Sequence, residues 1–157
     1  MPEEQNSHYA LALGKLFGNL ISLDIALRAR LYGAHPAPSG PIRDTQPFTS
    51  LNVGDRVEEN WITKHCYLSD LVREYNELQD KLGRADRKID IGIVDVRNAL
   101  AHGIVTAPAV GGILTLIKFG GAARSRQVTE KVDMTLDWMT TQIARVPDAL
   151  HKVDSAT

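Results

Sequence analysis

Between Tyr9 and Tyr32 the chain places Leu13, Leu16, Leu20, Leu23, Leu27 and Leu31 three or four residues apart. On a helix of 3.6 residues per turn these side chains fall on one stripe, so the spacing predicts a long amphipathic helix that needs other elements against it. Phe17 and Ile21 are expected to widen the stripe. Gly14 and Gly18, four apart, fit two readings: a place where another helix approaches closely, or two weak points in this one. Lys15, Asn19, Asp24, Arg28 and Arg30 interrupt the apolar run, which argues against a membrane span.

The rest of the chain reads as helices around one exception in strand form. Pro36, Pro38, Pro41 and Pro47 make residues 34–50 a proline-rich loop, and "LNVGDRVEENWIT" shows turn chemistry without a helical period. Tyr67 to Leu82 carries a helical face of Leu68, Leu71, Val72, Tyr75, Leu78 and Leu82, with Gly83 as its stop. A basic connector, "GRADRK", leads into a further helix that holds "DVRNALAHG". Two glycine pairs, Gly111-Gly112 and Gly120-Gly121, bracket "ILTLIKF", which reads as a strand, and "RQVTEKV" is its hairpin partner; residues 111–132 thus form a β-hairpin insertion. A last helix starts near Met134 with Leu136, Met139, Ile143, Val146, Leu150 and Val153, and Pro147 inside it predicts a kink or a break. The expected fold is mainly α: a single domain over residues 1–157, with four to five helices and a small β-hairpin before the last.

Composition narrows the function classes. A net charge of −1 argues against non-specific coating of nucleic acid, though it leaves room for a local basic site. Cys66 is the only cysteine, so there is no disulfide framework, and with the acidic, polar start "MPEEQNSH" the expected location is the cytoplasm. The five histidines show no i, i+4 pair and no cysteine pair to complete a zinc set, so no metal and no cofactor is expected. His65 and Cys66 are adjacent, which points them apart on a helix, and no phosphate-binding glycine loop is present.

"DVRNALAHG" stands out against this background. At about 100° per residue, Ile93, Val94, Val96, Leu100, Ala101 and Ile104 spread over a broad apolar face with Arg97 in its middle, while Asp95, Asn98 and His102 form a polar stripe beside it. An arginine in an apolar face is costly unless paired or solvated. Asn98 and His102 are i, i+4 neighbours, so the amide can orient the imidazole, and Asp95 one turn earlier can raise its basicity. Arg97 offers a fork that matches a phosphate. Histidine with arginine and no metal suits cleavage of a phosphodiester whose nucleophile is the RNA 2′-OH. A structural role fits the same residues: His102 against the last carbonyls of its helix with Gly103 as the C-cap, and Arg97 paired with Asp24 of the first helix.

"RNALAH", Arg97 to His102, resembles the R-x4–6-H signature of the HEPN superfamily, including the asparagine that often follows the arginine. The order of a long first helix, a helix ending in "REYNELQDKLG", the signature helix and a long final helix is similar to that family over most of the chain. The resemblance implies a helical bundle forming homodimers through the helix that carries Arg97 and His102, with Arg97 lining a shared cleft. It further implies a metal-independent endoribonuclease of toxin or anti-phage type, with an antitoxin protein as partner. Arg97 would stabilise the transition state, His102 act as general acid/base, and Asn98 and Asp95 orient it. RNA contacts would come from Arg84, Arg87 and Lys88 in the connector, or from Arg124 and Arg126 in the hairpin; solvated basic loops are the plainer reading of both groups. Other members only bind RNA, nucleotide or protein, and a purely structural dimerisation domain is a third reading. The hairpin departs from a minimal bundle. So does the continuation His102-Gly103-Ile104, which lacks the tyrosine two places after the histidine that an adenylylating antitoxin modifies.

Overall fold

In the computed structural model, which describes residues 2–35, 52–53, 59–106, 112–121 and 126–155, the leucine-rich segment forms a single helix, α1, over Pro2–Ala34. Leu16, Leu20, Leu23, Leu27 and Leu31 are buried along one side of it. That side packs along α4 (Leu136–Asp154) and against α2 (Leu68–Lys81). Phe17 and Ile21 do not widen this stripe; both are exposed, because they project towards the opposite face of the helix. By length and composition α1 is also apolar enough to cross a bilayer, with a mean hydropathy of 1.5 over its most apolar window within Ser7–Ala34. Most of the proline-rich loop expected at 34–50 lies outside the described residues.

Arg28 fixes the next segment to α1. Its guanidinium bonds Asp24 one turn earlier at 2.6 Å and donates to the carbonyls of Trp61, Lys64 and Cys66. Burial works against its charge, but Asp24 and Cys66 outweigh this and hold its proton more firmly than in free arginine. Three otherwise orphaned carbonyls of a short irregular stretch are thereby satisfied. α2 follows, its N-terminus closed by Asp70, which accepts the Tyr67 N–H, and its C-terminus followed by Gly83 at a left-handed φ of 69°. Buried Tyr75 donates its hydroxyl to the Lys152 carbonyl at 2.9 Å, tying α2 to the end of α4.

After a 3-10 turn at Ala85–Arg87 the chain enters α3 (Gly92–His102) and then a three-stranded antiparallel sheet in the order β1-β2-β3. β1 is Ile104–Thr106, β2 Leu114–Gly120 and β3 Gln127–Met134. The expected mainly-α bundle with an inserted hairpin is therefore corrected to a mixed α/β fold. Ile117 pairs with Ile104 on one side and Lys131 on the other, so the strand that begins directly after α3 makes the hairpin a sheet. Nor does that sheet hang on the bundle as an insertion. Leu116 and Met134 are buried in the same core as the helices, and α3 packs on β2. A bulge between Lys118 and Phe119 shifts the register to leave Thr129 unpaired, and a side chain at Gly120 would run into Thr129.

α4 starts at Leu136, where the Thr135 hydroxyl accepts the Trp138 N–H at 3.0 Å. Of the kink or break expected at Pro147, the break does not occur, and the helix continues through it. Pro147 is exposed, so its ring and missing N–H fall away from the core, while Val146, Ala149 and Val153 hold the last turns against the rest of the fold.

Candidate functional site

α3 is anchored at both ends by local chemistry. At its start the Asp90 carboxylate accepts the Gly92 N–H at 2.9 Å and pairs with Arg145 of α4 at 2.6 Å. The Gly92 N–H and the Arg145 guanidinium hold Asp90 below the usual carboxylate range. At its end Gly103 stands at the C-cap, donating to the Ala99 carbonyl at 2.8 Å, but in extended backbone with φ −81° and ψ 174°. What requires glycine there is close packing. A Cβ would strike the Ala99 carbonyl and lie 2.9 Å from both the Ile117 carbonyl and the Leu116 side chain of β2.

The face of α3 that meets the core is Ile93, Val94, Ala99 and Leu100. Arg97 projects between buried Ile93 and Val94 on that face and is half-buried, and Ala101 is exposed. Since the apolar residues of the helix are used inside the same chain, α3 keeps no broad apolar face among the described residues for a second copy. Its outer stripe consists of exposed Asp95, half-buried Asn98 and exposed His102, with Arg97 to one side of it.

Arg97 donates from Nη1 to Asn98 Oδ1 at 3.2 Å. Asn98 therefore positions the arginine, while no hydrogen bond among the described residues joins it to His102 or joins Asp95 to either. Asp24, a suggested partner for Arg97, is held by Arg28 at 2.6 Å. Arg97 makes no other side-chain bond among the described residues, and His102 lies about 7.5 Å further along the same helix and about 140° round it.

The basic residues divide between the two ends of α3. Lys88 pairs with Asp80 at 2.8 Å, Arg87 with Asp86 at 3.3 Å and with the Ser155 hydroxyl, and Arg84 is also engaged. All three precede Gly92, about 15 Å along the helix axis from His102. Arg126 is exposed and adjoins Gln127, which pairs with Gly120. Because Ile104 pairs with Ile117, the C-terminus of α3 and the β2–β3 turn lie towards the same end of the sheet. Arg126 is thus on the side of His102; Arg124 lies outside the described residues.

A groove of about 620 Å³ opens between the start of α3 and α4, lined by Ile89, Asp90, Ile93, Thr141, Arg145 and Lys152. Its charges are matched internally, Arg145 by Asp90 and Lys152 by Asp148 at 3.2 Å. Sequence reasoning missed this pair. An aspartate two residues ahead of a helical glycine signals the local half, but nothing in the sequence links it to position 145. No model of a known protein family, no curated protein and no solved structure matches this chain.

Proposed function

We propose that the chain is a metal-independent endoribonuclease of HEPN type, acting in the cytoplasm as a toxin or defence protein and cutting RNA along the outer stripe of α3. The observation that supports this most directly is the pairing of types on that helix: a half-buried arginine held by its neighbouring amide, followed five residues later by an exposed histidine with no partner among the described residues. Arg97 binds the scissile phosphate and stabilises charge on its oxygens. His102 takes the proton of the adjacent 2′-OH as that oxygen attacks phosphorus. The bond to the 5′ oxygen breaks, solvent protonates the leaving oxygen, and the products are a 2′,3′-cyclic phosphate and a 5′-OH. Arg126 supports the RNA strand at the same end of the sheet.

One observation favours a second reading, a module that binds RNA or nucleotide without cutting it. Asn98 is engaged with Arg97, which leaves His102 without an orienting partner in this chain. The test is incubation of the purified full chain with single-stranded RNA in excess EDTA, followed by analysis of the product ends. Cleavage with 2′,3′-cyclic phosphate and 5′-OH ends is expected. Loss of cleavage in EDTA, or 3′-OH ends, overturns the mechanism, and tight binding without cleavage moves the assignment to the second reading.

A further inference from the structure

α1 is apolar on two opposite faces, and the protomer covers only one. Opposite the buried leucines, at about 100° per residue, lie Leu11, Gly14, Gly18, Ile21, Ser22 and Ile25. Leu11, Ile21 and Ile25 are 59%, 59% and 61% exposed. A Cβ built on Gly14 or Gly18 meets nothing within 4 Å, so among the described residues no element uses the close approach that these glycines permit. A helix apolar all round is normally covered on both sides.

We propose that this strip is the seam of a homodimer in which two α1 helices pack antiparallel across a two-fold axis at Gly18. The spacing is self-complementary about that residue except at one pair, where Ile21, three positions after it, meets the alkyl chain of the partner's Lys15, three before. Leu11 lies seven positions before it and Ile25 seven after; Gly14 lies four before and Ser22 four after. A two-fold axis therefore sets Leu11 against the partner's Ile25, Gly14 against the partner's Ser22, and Gly18 against its own copy. The Ser22 hydroxyl is already satisfied by the Gly18 carbonyl at 3.0 Å, so it enters the seam as a small residue with its donor used. Phe17, 37% exposed, and Lys15 lie at the margins of the strip.

A bilayer fits the strip less well. To span it, α1 would have to withdraw its leucines from α2 and α4 and give up the bonds from Arg28 to Trp61, Lys64 and Cys66. To lie on its surface, a helix needs bulky wedges and a basic rim, whereas the centre here is two glycines. The seam goes beyond the RNA reading and does not depend on it, since it uses no residue of the α3 stripe.

The test is light scattering of the full chain at micromolar concentration, where a dimer is expected. Gly18→Trp should weaken dimerisation at least 100-fold with an unchanged melting temperature, because the protomer leaves room for the new side chain. In a Cys66→Ser background, a mixture of Leu11→Cys and Ile25→Cys chains should form an inter-chain disulfide under mild oxidation that neither chain forms alone. A monomeric wild type, a dimer that survives Gly18→Trp, or absence of the mixed cross-link overturns the seam. Binding of the monomer to phosphatidylglycerol vesicles would assign the strip to a membrane instead.

Discussion

Gln79 is fully buried, and among the described residues neither its Nε2 nor its Oε1 has a hydrogen-bond partner. A buried polar group left unsatisfied costs about 1–3 kcal/mol, so Gln79→Met, which keeps the length of the side chain, should stabilise the protein. The expected gain is about 1 kcal/mol, or roughly 3 °C in thermal unfolding for a chain of this size. A fall in melting temperature would show that the amide has a partner that the methionine cannot replace. The sequence conceals this residue because it suggests Leu78 and Leu82 for the same helical face, and Leu82 is in fact exposed. Glutamine carries no signal of burial, and only the packing of α2 shows which of these positions points inward. The residues of the α3 stripe were legible as residue types, since arginine and histidine on a helix with apolar neighbours are uncommon enough to notice. Their bonding was not: Arg97 and Asn98 are adjacent, and whether the amide turns to its neighbour or to His102 depends on rotamers.

At the scale of elements, α3 is held against α4 by Asp90, whose carboxylate is stabilised by the Gly92 N–H and by Arg145. A carboxyl held below its unfolded value contributes stability that is present above that value and is lost as pH falls through the lowered one. The Asp90 side chain is largely exposed, so the contribution is screened to about 0.5 kcal/mol. Asp90→Asn should therefore lower the melting temperature slightly at pH 7, and the difference from wild type should shrink as the pH is taken below about 3.8, the ordinary value for aspartate. A difference that stays constant from pH 7 to pH 2 would show that the carboxylate charge has no part in anchoring α3. Helices with a repeated apolar spacing were readable from the sequence, α2 and α4 to within a few residues, while α1 begins seven residues before the expected Tyr9 because its first two turns carry no apolar repeat. β1 was not, because three β-branched or apolar residues after a glycine are too few for a period and become a strand only when Ile117 pairs with Ile104. Pro147 misled in the other direction, since a local rule predicts a break that the packing of α4 on α1 overrides.

For the whole molecule, the hairpin that looked like an addition to a helical bundle shares its core, through Leu116 and Met134. The sheet also defines the surroundings of the candidate site. It requires Gly103 for close contact with β2, turns the chain directly from His102 into β1, and brings Arg126 to the same end while the connector cations remain at the other. None of this follows from the motif, because strand pairing over ten or more residues is a property of the assembled fold. The exposed strip on α1 likewise became visible only when the two apolar faces of the helix could be told apart. The central claim is that RNA is cut by the α3 stripe. Its most direct test is the rate of single-stranded RNA cleavage in EDTA by wild type, His102→Ala and Arg97→Ala chains of equal melting temperature. Removal of the general acid/base or of the phosphate clamp should slow cleavage by about 100-fold or more. Cleavage by His102→Ala at the wild-type rate would contradict the assignment, because the stripe would then be intact in shape and yet unnecessary for the reaction.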